Sequence, residues 1–492
     1  MKMNTPIWLR IALAATAGPL ISASALGAAT ADGPLTMAGI TLYGTLDVGV
    51  QYQSAGAPLS DYWNGGGANE AIQKNSVGSQ TNVAGSYLGQ TKIGLKGQED
   101  FGNGWSGVFR LESLINPWSG QLPDGLKSLT VNNGVALGSQ TNGIDSSVAG
   151  QVFGGAAYAG VSHAQWGTLT VGRQNGVLAD GIAKYDPMNA SNAFSLIGWS
   201  GTAAGGGDTE NRRLDNSVKY EVTAHGAHVA AMYQGKSGSN PGTAQQLALG
   251  WVFPGGSVDA YYAKKNDAIA AGSLTAAGAK SNSGVYDVTQ ACAAGSGQYV
   301  DGLSNATYTC ASIDKAVTGT ISDNTTVGLM AQYTLNKQWK LSGGYERIDY
   351  KNPSKVVLAG QHTIGGYTLV TVNAQTGAKS SFLNTKTLDV GWLGAKYSPN
   401  THLDVIGAVY GYHQNNYGSA ANSGWTSGCS GTGSATCSGK ESVVSLAAVY
   451  HFTKRFDGYT GAMWSQVQGG LANGFTYNTS TIDPTVGVRY TF

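Results

Sequence analysis

The sequence predicts an all-β protein: a transmembrane antiparallel β-barrel of about 16 strands. Three observations support this prediction. Apolar and polar residues alternate along many short segments, which is the pattern of a strand with one apolar and one polar face. Short turns alternate with long polar segments, as they do in bacterial outer-membrane barrels. Beyond the N-terminal region, no stretch approaches the ~20 apolar residues that a transmembrane helix needs.

The composition agrees with this fold class. The chain has 492 residues, of which 73 are glycine and 25 are tyrosine, and 12% are charged. Many glycines and tyrosines with few charges favour a long β structure over a helical one. The formal net charge of +1 argues against nucleic acid as a partner, because binding to nucleic acid calls for a basic face.

The N-terminus predicts a signal peptide over residues 1–31. Two basic residues precede an apolar run over 11–26, and Ala29-Thr30-Ala31 fits the A-x-A pattern that precedes cleavage. We therefore expect cleavage at about residues 28–31. Nothing marks a domain boundary after it, so residues 32–492 are expected to form a single barrel domain.

The cysteines agree with export to an oxidising compartment. They fall in two Gly/Ser/Thr-rich segments, and neither pair has the spacing or the nearby histidine that a zinc site requires. We predict two local disulfides, each closing its own loop, and no metal site. The candidates are Cys292 and Cys310 in one segment, and Cys429 and Cys437 in the other.

The first predicted strand, at 40–52, shows the alternation clearly. Leu46 and Val50 share one face with other apolar side chains, whereas Asp47 and Gln51 share the opposite face with threonines. The same pattern returns at 92–98, 108–112, 247–253, 327–333 and 444–452.

The last segment, 484–492, predicts the strand that closes the barrel. Its apolar side chains are expected to face lipid, and Arg489 to face the lumen. In lipid every backbone amide must be paired within the protein, so a spanning sheet cannot keep an open edge. We therefore expect this strand to pair with the strand near Leu42. Aromatic girdles at the two interfaces are predicted to include Trp251, Tyr333, Tyr450 and Tyr490.

The connections follow a short–long rhythm. Short turns are predicted at 101–104, 225–226, 254–256, 336–338, 399–400 and 454–455. Long polar segments are predicted at 55–86, 117–150, 175–212, 265–323, 351–383 and 416–438. About 16 strands would enclose an aqueous lumen, whereas about eight would be filled by side chains.

Segment 175–212, named here the inner loop, stands out among the long connections. Loops of this length without regular structure are uncommon and are usually functional or disordered. Aromatic residues favour packing over disorder, so we predict that the inner loop folds into the barrel. Its charged and aromatic residues include Asp180, Lys184, Tyr185, Asp186, Phe194, Trp199, Asp208 and Glu210.

Several short segments, each weak alone, follow one another in the order found in a known family. They are Ile40-Thr41-Leu42-Tyr43-Gly44, Lys92-Ile93-Gly94-Leu95-Lys96-Gly97-Gln98-Glu99-Asp100, Val108-Phe109-Arg110-Leu111-Glu112-Ser113, Ala157-Tyr158-Ala159-Gly160-Val161, Gly172-Arg173-Gln174, Asn216-Ser217-Val218-Lys219-Tyr220 and Tyr490-Thr491-Phe492. On these segments the sequence resembles the trimeric general porins of Gram-negative outer membranes. The resemblance implies a homotrimer in outer-membrane lipid that lets ions and small hydrophilic solutes diffuse passively, with no cofactor. It also implies that Tyr490 and Phe492 form the terminus used in membrane insertion.

The resemblance also implies a set of pore residues. In the family, the loop after the Gly-Arg motif narrows the pore, and its acids face basic side chains on the opposite wall. Asp186 matches the key acid of that loop, and Asp180 matches an acid before it. Lys92 falls where the family usually has an arginine, and Arg213 matches another arginine of the wall.

Two further residues are candidates for the pore, and at two positions the sequence differs from the family pattern. Alternation places Arg110 on a lumen face, and Lys184 lies between the two loop acids. The family commonly has a base at the position of Gly155, and some of its members also have one at the position of Thr45. We therefore expect a wall with less charge than usual, and a weaker field across the pore.

Opposed acids and bases would order water and favour polar solutes. Alternatively, the same side chains form ion pairs that brace the loop, and both roles can hold together. A substrate-specific porin with a lumen binding site is a second possibility, for which Tyr43 and Tyr261 are the lumen-side aromatics. A secreted β-rich adhesin or lectin is a third. The seven histidines show no arrangement of nucleophile and base, which argues against an enzyme.

Overall fold

The computed structural model describes residues 35–59, 71–73, 76–124, 150–197, 212–236, 242–270, 298–300, 307–309, 320–352, 384–418, 436–475 and 477–492. The predicted signal peptide and Cys292, Cys310 and Cys429 lie outside these residues. Among the helices in the described ranges, none has the length and hydropathy needed to cross a membrane.

The described residues are almost entirely β-strand. The strands are β1 (Leu35–Met37), β2 (Ile40–Gly56), β3 (Gly78–Gly85), β4 (Lys92–Gly102), β5 (Trp105–Leu114), β6 (Ala156–His163), β7 (Gly167–Asn175), β8 (Arg213–Ala224), β9 (Ala227–Gln234), β10 (Ala244–Phe253), β11 (Gly256–Ala270), β12 (Gln298–Val300), β13 (Thr307–Thr309), β14 (Thr320–Thr334), β15 (Trp339–Lys351), β16 (Lys386–Asn400), β17 (Leu403–Gln414), β18 (Gly439–His451), β19 (Phe456–Gly469) and β20 (Ser480–Thr491). A nine-residue helix, α1 (Val177–Tyr185), lies between β7 and β8.

The strands form a closed antiparallel barrel with 16 strand positions in the described part of the chain. Strands β3 and β4 pair with the same edge of β2, so together they occupy one position. Strand β1 adds a short pairing to β2, and β12 and β13 form a separate hairpin. The predicted fold class and strand number are therefore confirmed.

The two ends of the chain close the barrel, as predicted. Strand β20 pairs with β2 so that Tyr490 lies opposite Leu46. Beyond the last paired residues of β20, the backbone N–H of Gly44 donates to the oxygen of Phe492 over 3.0 Å. The N–H of Phe492 donates back to Gly44 over 3.1 Å. The cylinder thus has no open edge between its first and last strands.

The predicted faces of the strands are also confirmed. On β2, Leu46 and Val50 are exposed on the outside, whereas Asp47 and Gln51 are buried inside. The four predicted girdle aromatics, Trp251, Tyr333, Tyr450 and Tyr490, are all exposed. An apolar outer surface and a polar inner surface are what a barrel in lipid requires.

The structure corrects several predicted boundaries. The loop predicted at 265–323 contains the end of β11, the start of β14, and the short strands β12 and β13. Strand β3 lies inside the segment predicted as the loop 55–86. Its outward face carries Ser79, Thr81 and Val83, so it lacks the apolar row that revealed the other strands. The turn predicted at 399–400 lies at 401–402, because β16 continues to Asn400.

The described part of the inner loop, residues 175–197 and 212, folds into the barrel, as predicted, and part of it is helical. Trp199, Asp208 and Glu210 lie outside the described residues. In α1, Leu178, Ile182 and Tyr185 recur at helical spacing and are buried. The following residues reach the far wall, where Tyr412 donates its hydroxyl to the oxygen of Leu196 over 2.8 Å. Phe194 is fully buried. The described part of the inner loop therefore lies along one side of the lumen.

We predict that alanine at Gly44 destabilises the closed barrel. An added Cβ would lie 2.7 Å from the backbone oxygen of Lys92 and 2.4 Å from the ring of Phe492. Overpacking of this kind costs about 1–3 kcal/mol, so Gly44→Ala should lower the temperature at which the folded form disappears on a detergent gel.

Gly391→Ala is the matched control, because a Cβ added at this strand glycine would meet no atom within 4 Å. Equal transition temperatures for the two variants would contradict the importance of this contact between the chain ends.

Candidate pore constriction

An opening of about 700 Å³ lies inside the barrel, between the inner loop and one part of the wall. Residues of α1 and residues 189–192 line the loop side. Side chains of β4 to β8 line the wall side. The opening therefore joins two surfaces that are far apart in the sequence.

A buried carboxylate organises the wall at β4 and β5. Glu112 lies 3.2 Å from the amino group of Lys92 and 2.6 Å from the guanidinium of Arg110. Arg110 also donates from Nε to the hydroxyl of Tyr43 over 2.6 Å, and that hydroxyl donates to Glu112 over 3.0 Å. One acid thus fixes the positions of two predicted pore cations.

Arg213 lies beside Gly155, the position at which the family commonly has a base and this sequence does not. It is 5% exposed, donates from Nε to the oxygen of Gly155 over 2.7 Å, and donates from Nη2 to Gln90 over 2.5 Å. An added Cβ at Gly155 would lie 2.6 Å from a carboxylate oxygen of Glu112. The glycine therefore leaves room for Glu112, and the guanidinium of Arg213 supplies positive charge beside it.

Asp180 lies on the loop side of the opening. Its side chain is 44% exposed and forms an ion pair with Lys219 of β8. It also accepts a hydrogen bond from the amide of Asn175 over 3.0 Å. The structure thus brings this predicted acid to the opening, where it is already paired with a wall lysine.

Asp186 does not line the opening. The side chain is 2% exposed and accepts hydrogen bonds from the backbone amides of Met188 and Ala190, over 3.1 and 2.6 Å. The hydroxyl of Tyr410 on β17 donates to it over 2.6 Å. Burial raises the pKa of Asp186, and these hydrogen bonds oppose that rise. The family resemblance placed this acid at the pore, whereas the structure places it between the inner loop and the wall.

Lys184 lies on the other side of α1 from the opening. Its amino group is 3.0 Å from Asp259, which also accepts the hydroxyl of Tyr185 over 2.6 Å and contacts His228 over 2.8 Å. Burial alone would lower the pKa of Lys184, but the hydrogen bonds to Tyr185 and Asp259 raise it. Lys184 borders a smaller cavity of about 70 Å³ between α1 and the wall.

Some charged residues that line the opening were not predicted as site residues, namely Arg212, Lys219, Glu112 and Glu221. The described residues that line it include five lysines and arginines and three acids. The bases are Lys92, Arg110, Arg212, Arg213 and Lys219, and the acids are Glu112, Asp180 and Glu221. Glu112 lies two residues after Arg110 and therefore on the same strand face, and Lys219 lies in a strand, so alternation could have identified both. Arg212 and Gln90 lie outside strands and carried no such signal.

Of the four cysteines, only Cys437 lies within the described residues, so the predicted pairings can be compared with the structure only in part. Cys437 is disulfide-bonded, and its partner lies outside these residues. Its predicted pairing with Cys429 and that of Cys292 with Cys310 therefore stay predictions. In the described ranges, no group of three or more His, Cys, Asp or Glu side chains is arranged to hold a metal ion.

Comparison with known proteins agrees with the barrel fold. A family model described as Gram-negative porin matches residues 11–470. The chain is 27% identical, over 203 residues, to an outer membrane porin protein of Bordetella pertussis. That alignment covers 41% of this chain and 44% of the other, so the chain spans under half of that relative's length.

Two solved barrels share the fold over nearly their whole length. The anion-selective porin from Comamonas acidovorans matches with a TM-score of 0.54 and 16% identity, covering 92% of this chain and 99% of the other. Outer-membrane expressed OmpT of Vibrio cholerae matches with a TM-score of 0.52 and 12% identity, covering 94% and 100%.

The family predicted from the sequence is thereby confirmed, together with an outer-membrane location. The chain belongs to the Gram-negative porin family.

Proposed function

We propose that ions and small hydrophilic solutes cross the barrel through the opening between the inner loop and β4 to β8, and that this opening is the constriction of the channel. One observation carries the proposal. The buried inner loop occupies one side of the lumen, and an opening of about 700 Å³ with charged walls lies on the other side.

The charges of the opening favour anions. Lysines and arginines outnumber acids by five to three among the described lining residues, and a pore lined by excess positive charge attracts anions. The preference should be modest, because Glu112 already neutralises part of the charge of Lys92 and Arg110. The solved neighbour from Comamonas acidovorans is an anion-selective porin, which agrees with this proposal.

The acids of the inner loop divide into two roles. Asp180 faces the opening and contributes negative charge opposite the wall. Asp186 holds the turn after α1 against β17, and Lys184 holds α1 against Asp259 of β11. We therefore assign Asp180 to the constriction and assign Lys184 and Asp186 to bracing the loop.

Neither of the two lumen-side tyrosines named from the sequence, Tyr43 and Tyr261, offers a free ring for a sugar. The ring of Tyr43 lies 5.5 Å from the amino group of Lys96 and 5.2 Å from the guanidinium of Arg110. Tyr261 is 6% exposed and lies under Gly181 of α1. The contacts of these two tyrosines favour general diffusion over a stacking site for a particular solute.

A homotrimer remains the proposed assembly. OmpT of Vibrio cholerae, which matches this fold with a TM-score of 0.50, has been solved in a trimer form. We expect a detergent-solubilised mass of three chains by light scattering, after subtraction of the bound detergent. A single-chain mass under conditions that preserve channel activity would contradict this assembly.

We predict that two substitutions at the wall move selectivity in opposite directions. Arg110→Gln removes a cation from the opening and should weaken the preference for anions. Glu112→Gln removes the carboxylate that neutralises Lys92 and Arg110, and should strengthen it. The measurement is the reversal potential of single channels in a planar bilayer under a salt gradient.

Arg347→Gln is the control, because Arg347 is an exposed arginine of β15 that pairs with Asp349 and does not line the opening. Its reversal potential should equal that of the unmodified protein. Unchanged potentials for Arg110→Gln and Glu112→Gln, with folded barrels on a gel, would refute the assigned constriction.

A further inference from the structure

The barrel wall is interrupted at the level of the opening. Gly85 pairs with Val48 of β2, and Lys92 pairs with Thr45. From Gly85 to Lys92 the chain advances by seven residues, whereas the paired segment of β2, from Val48 to Thr45, advances by only three. Four extra residues between β3 and β4 are therefore not paired with β2. We name residues 86–91 the kink. A long interruption of this kind re-aims side chains away from the sheet.

A buried carboxylate on β2 holds the kink against the wall. Asp47 is 0% exposed, and its Oδ2 accepts hydrogen bonds from the backbone amides of Leu88 and Gly89, over 2.8 and 2.7 Å. Its Oδ1 accepts the hydroxyl of Tyr459 from β19. The backbone oxygen of Asp47 accepts the amide of Ser86 over 3.0 Å. Asp47 thus holds three residues of the kink, Leu88 and Gly89 through its carboxylate and Ser86 through its backbone oxygen.

On its lumen side the kink contacts residues 192–193, which we name the tip of the inner loop. The side-chain amide of Asn192 donates to the oxygen of Ser86 over 3.0 Å. The backbone amide of Ala193 donates to the oxygen of Tyr87 over 2.9 Å, and Tyr87 is fully buried. Both acceptors are backbone groups that the kink frees from the sheet, so a regular strand could not offer them.

The kink also reaches the basic wall. Gln90 accepts a hydrogen bond from Arg213, which lies at the start of β8 where the inner loop ends. Ser86, Leu88 and Gly89 line the opening together with Gln90. The kink therefore contacts the tip of the inner loop, its end and the opening itself.

We propose that the kink is the third side of the constriction and that Asp47 is a positioning residue that sets the width of the opening. Asp47 does not line the opening. It acts through Leu88 and Gly89, whose amides it fixes, and these position the carbonyls that hold Asn192 and Ala193. This inference rests on the proposed function, since it assumes that solutes pass through the opening.

The test uses two substitutions on the two sides of the kink. Asp47→Asn replaces one acceptor oxygen by an NH₂ group that faces backbone donors, and Asn192→Ala removes the side-chain bond to Ser86. We expect each substitution to increase the single-channel conductance and to move the reversal potential towards zero. The reason is that the tip of the inner loop loses hydrogen bonds to the kink, so the opening widens. The double variant should show no more than the larger single effect, because both changes release one contact.

Asp404→Asn is the matched control. Asp404 is also a lumen carboxylate of the wall, but its partners Lys396, Ser398 and His451 lie on β16 and β18. Its conductance and reversal potential should equal those of the unmodified protein. Gel mobility of the heated and unheated protein verifies the fold of every variant.

Unmodified conductance and reversal potential in Asn192→Ala would overturn the inference, and this variant decides it if Asp47→Asn does not fold. Fully additive effects in the double variant would also overturn it. If Arg110→Gln shifts the reversal potential while Asp47→Asn and Asn192→Ala change nothing, the opening stands and the kink has no part in it. If none of the three has an effect, the proposed function fails instead.

Discussion

A sheet that crosses lipid must pair every backbone amide, and this requirement shapes the rest of the molecule. The pairing of β20 with β2 closes the cylinder and leaves an inner face free to carry polar and charged side chains. The inner loop can fold into that lumen because its own backbone groups also find partners. Some lie within α1, some on Asp186 and some on the kink.

The charges of the opening occur in groups in which an acid serves more than one donor. Glu112 contacts Lys92, Arg110 and Tyr43, whereas Asp180 pairs with Lys219. Charges withdrawn from water need such partners, because an unpaired buried charge is costly. The same pairing keeps the side chains fixed and leaves a small excess of positive charge to act on passing ions.

The sequence carried most of the fold because alternation is a local property. Strands with a clear apolar outer row, such as β2, β10, β14 and β18, were predicted, whereas β3 was missed because its outer face is polar. Alternation and family resemblance predicted Lys92, Arg110, Arg213 and Asp180 as pore residues, and all four line the opening that we propose as the constriction. The orientation of Asp186 could not be predicted, because it depends on how the inner loop turns after α1. The kink escaped prediction because it exists only through the register of β2 against two other strands.

The most direct test asks whether current flows between the inner loop and the basic wall. Ala183 lies on α1 and lines the opening, so a cysteine placed there can be modified from the lumen by a bulky thiol reagent. We expect modification of Ala183→Cys to reduce the conductance of open channels in discrete steps, and the same reagent to leave the unmodified protein unaffected. Full modification with unchanged conductance would contradict the assignment of the opening as the path of the solutes.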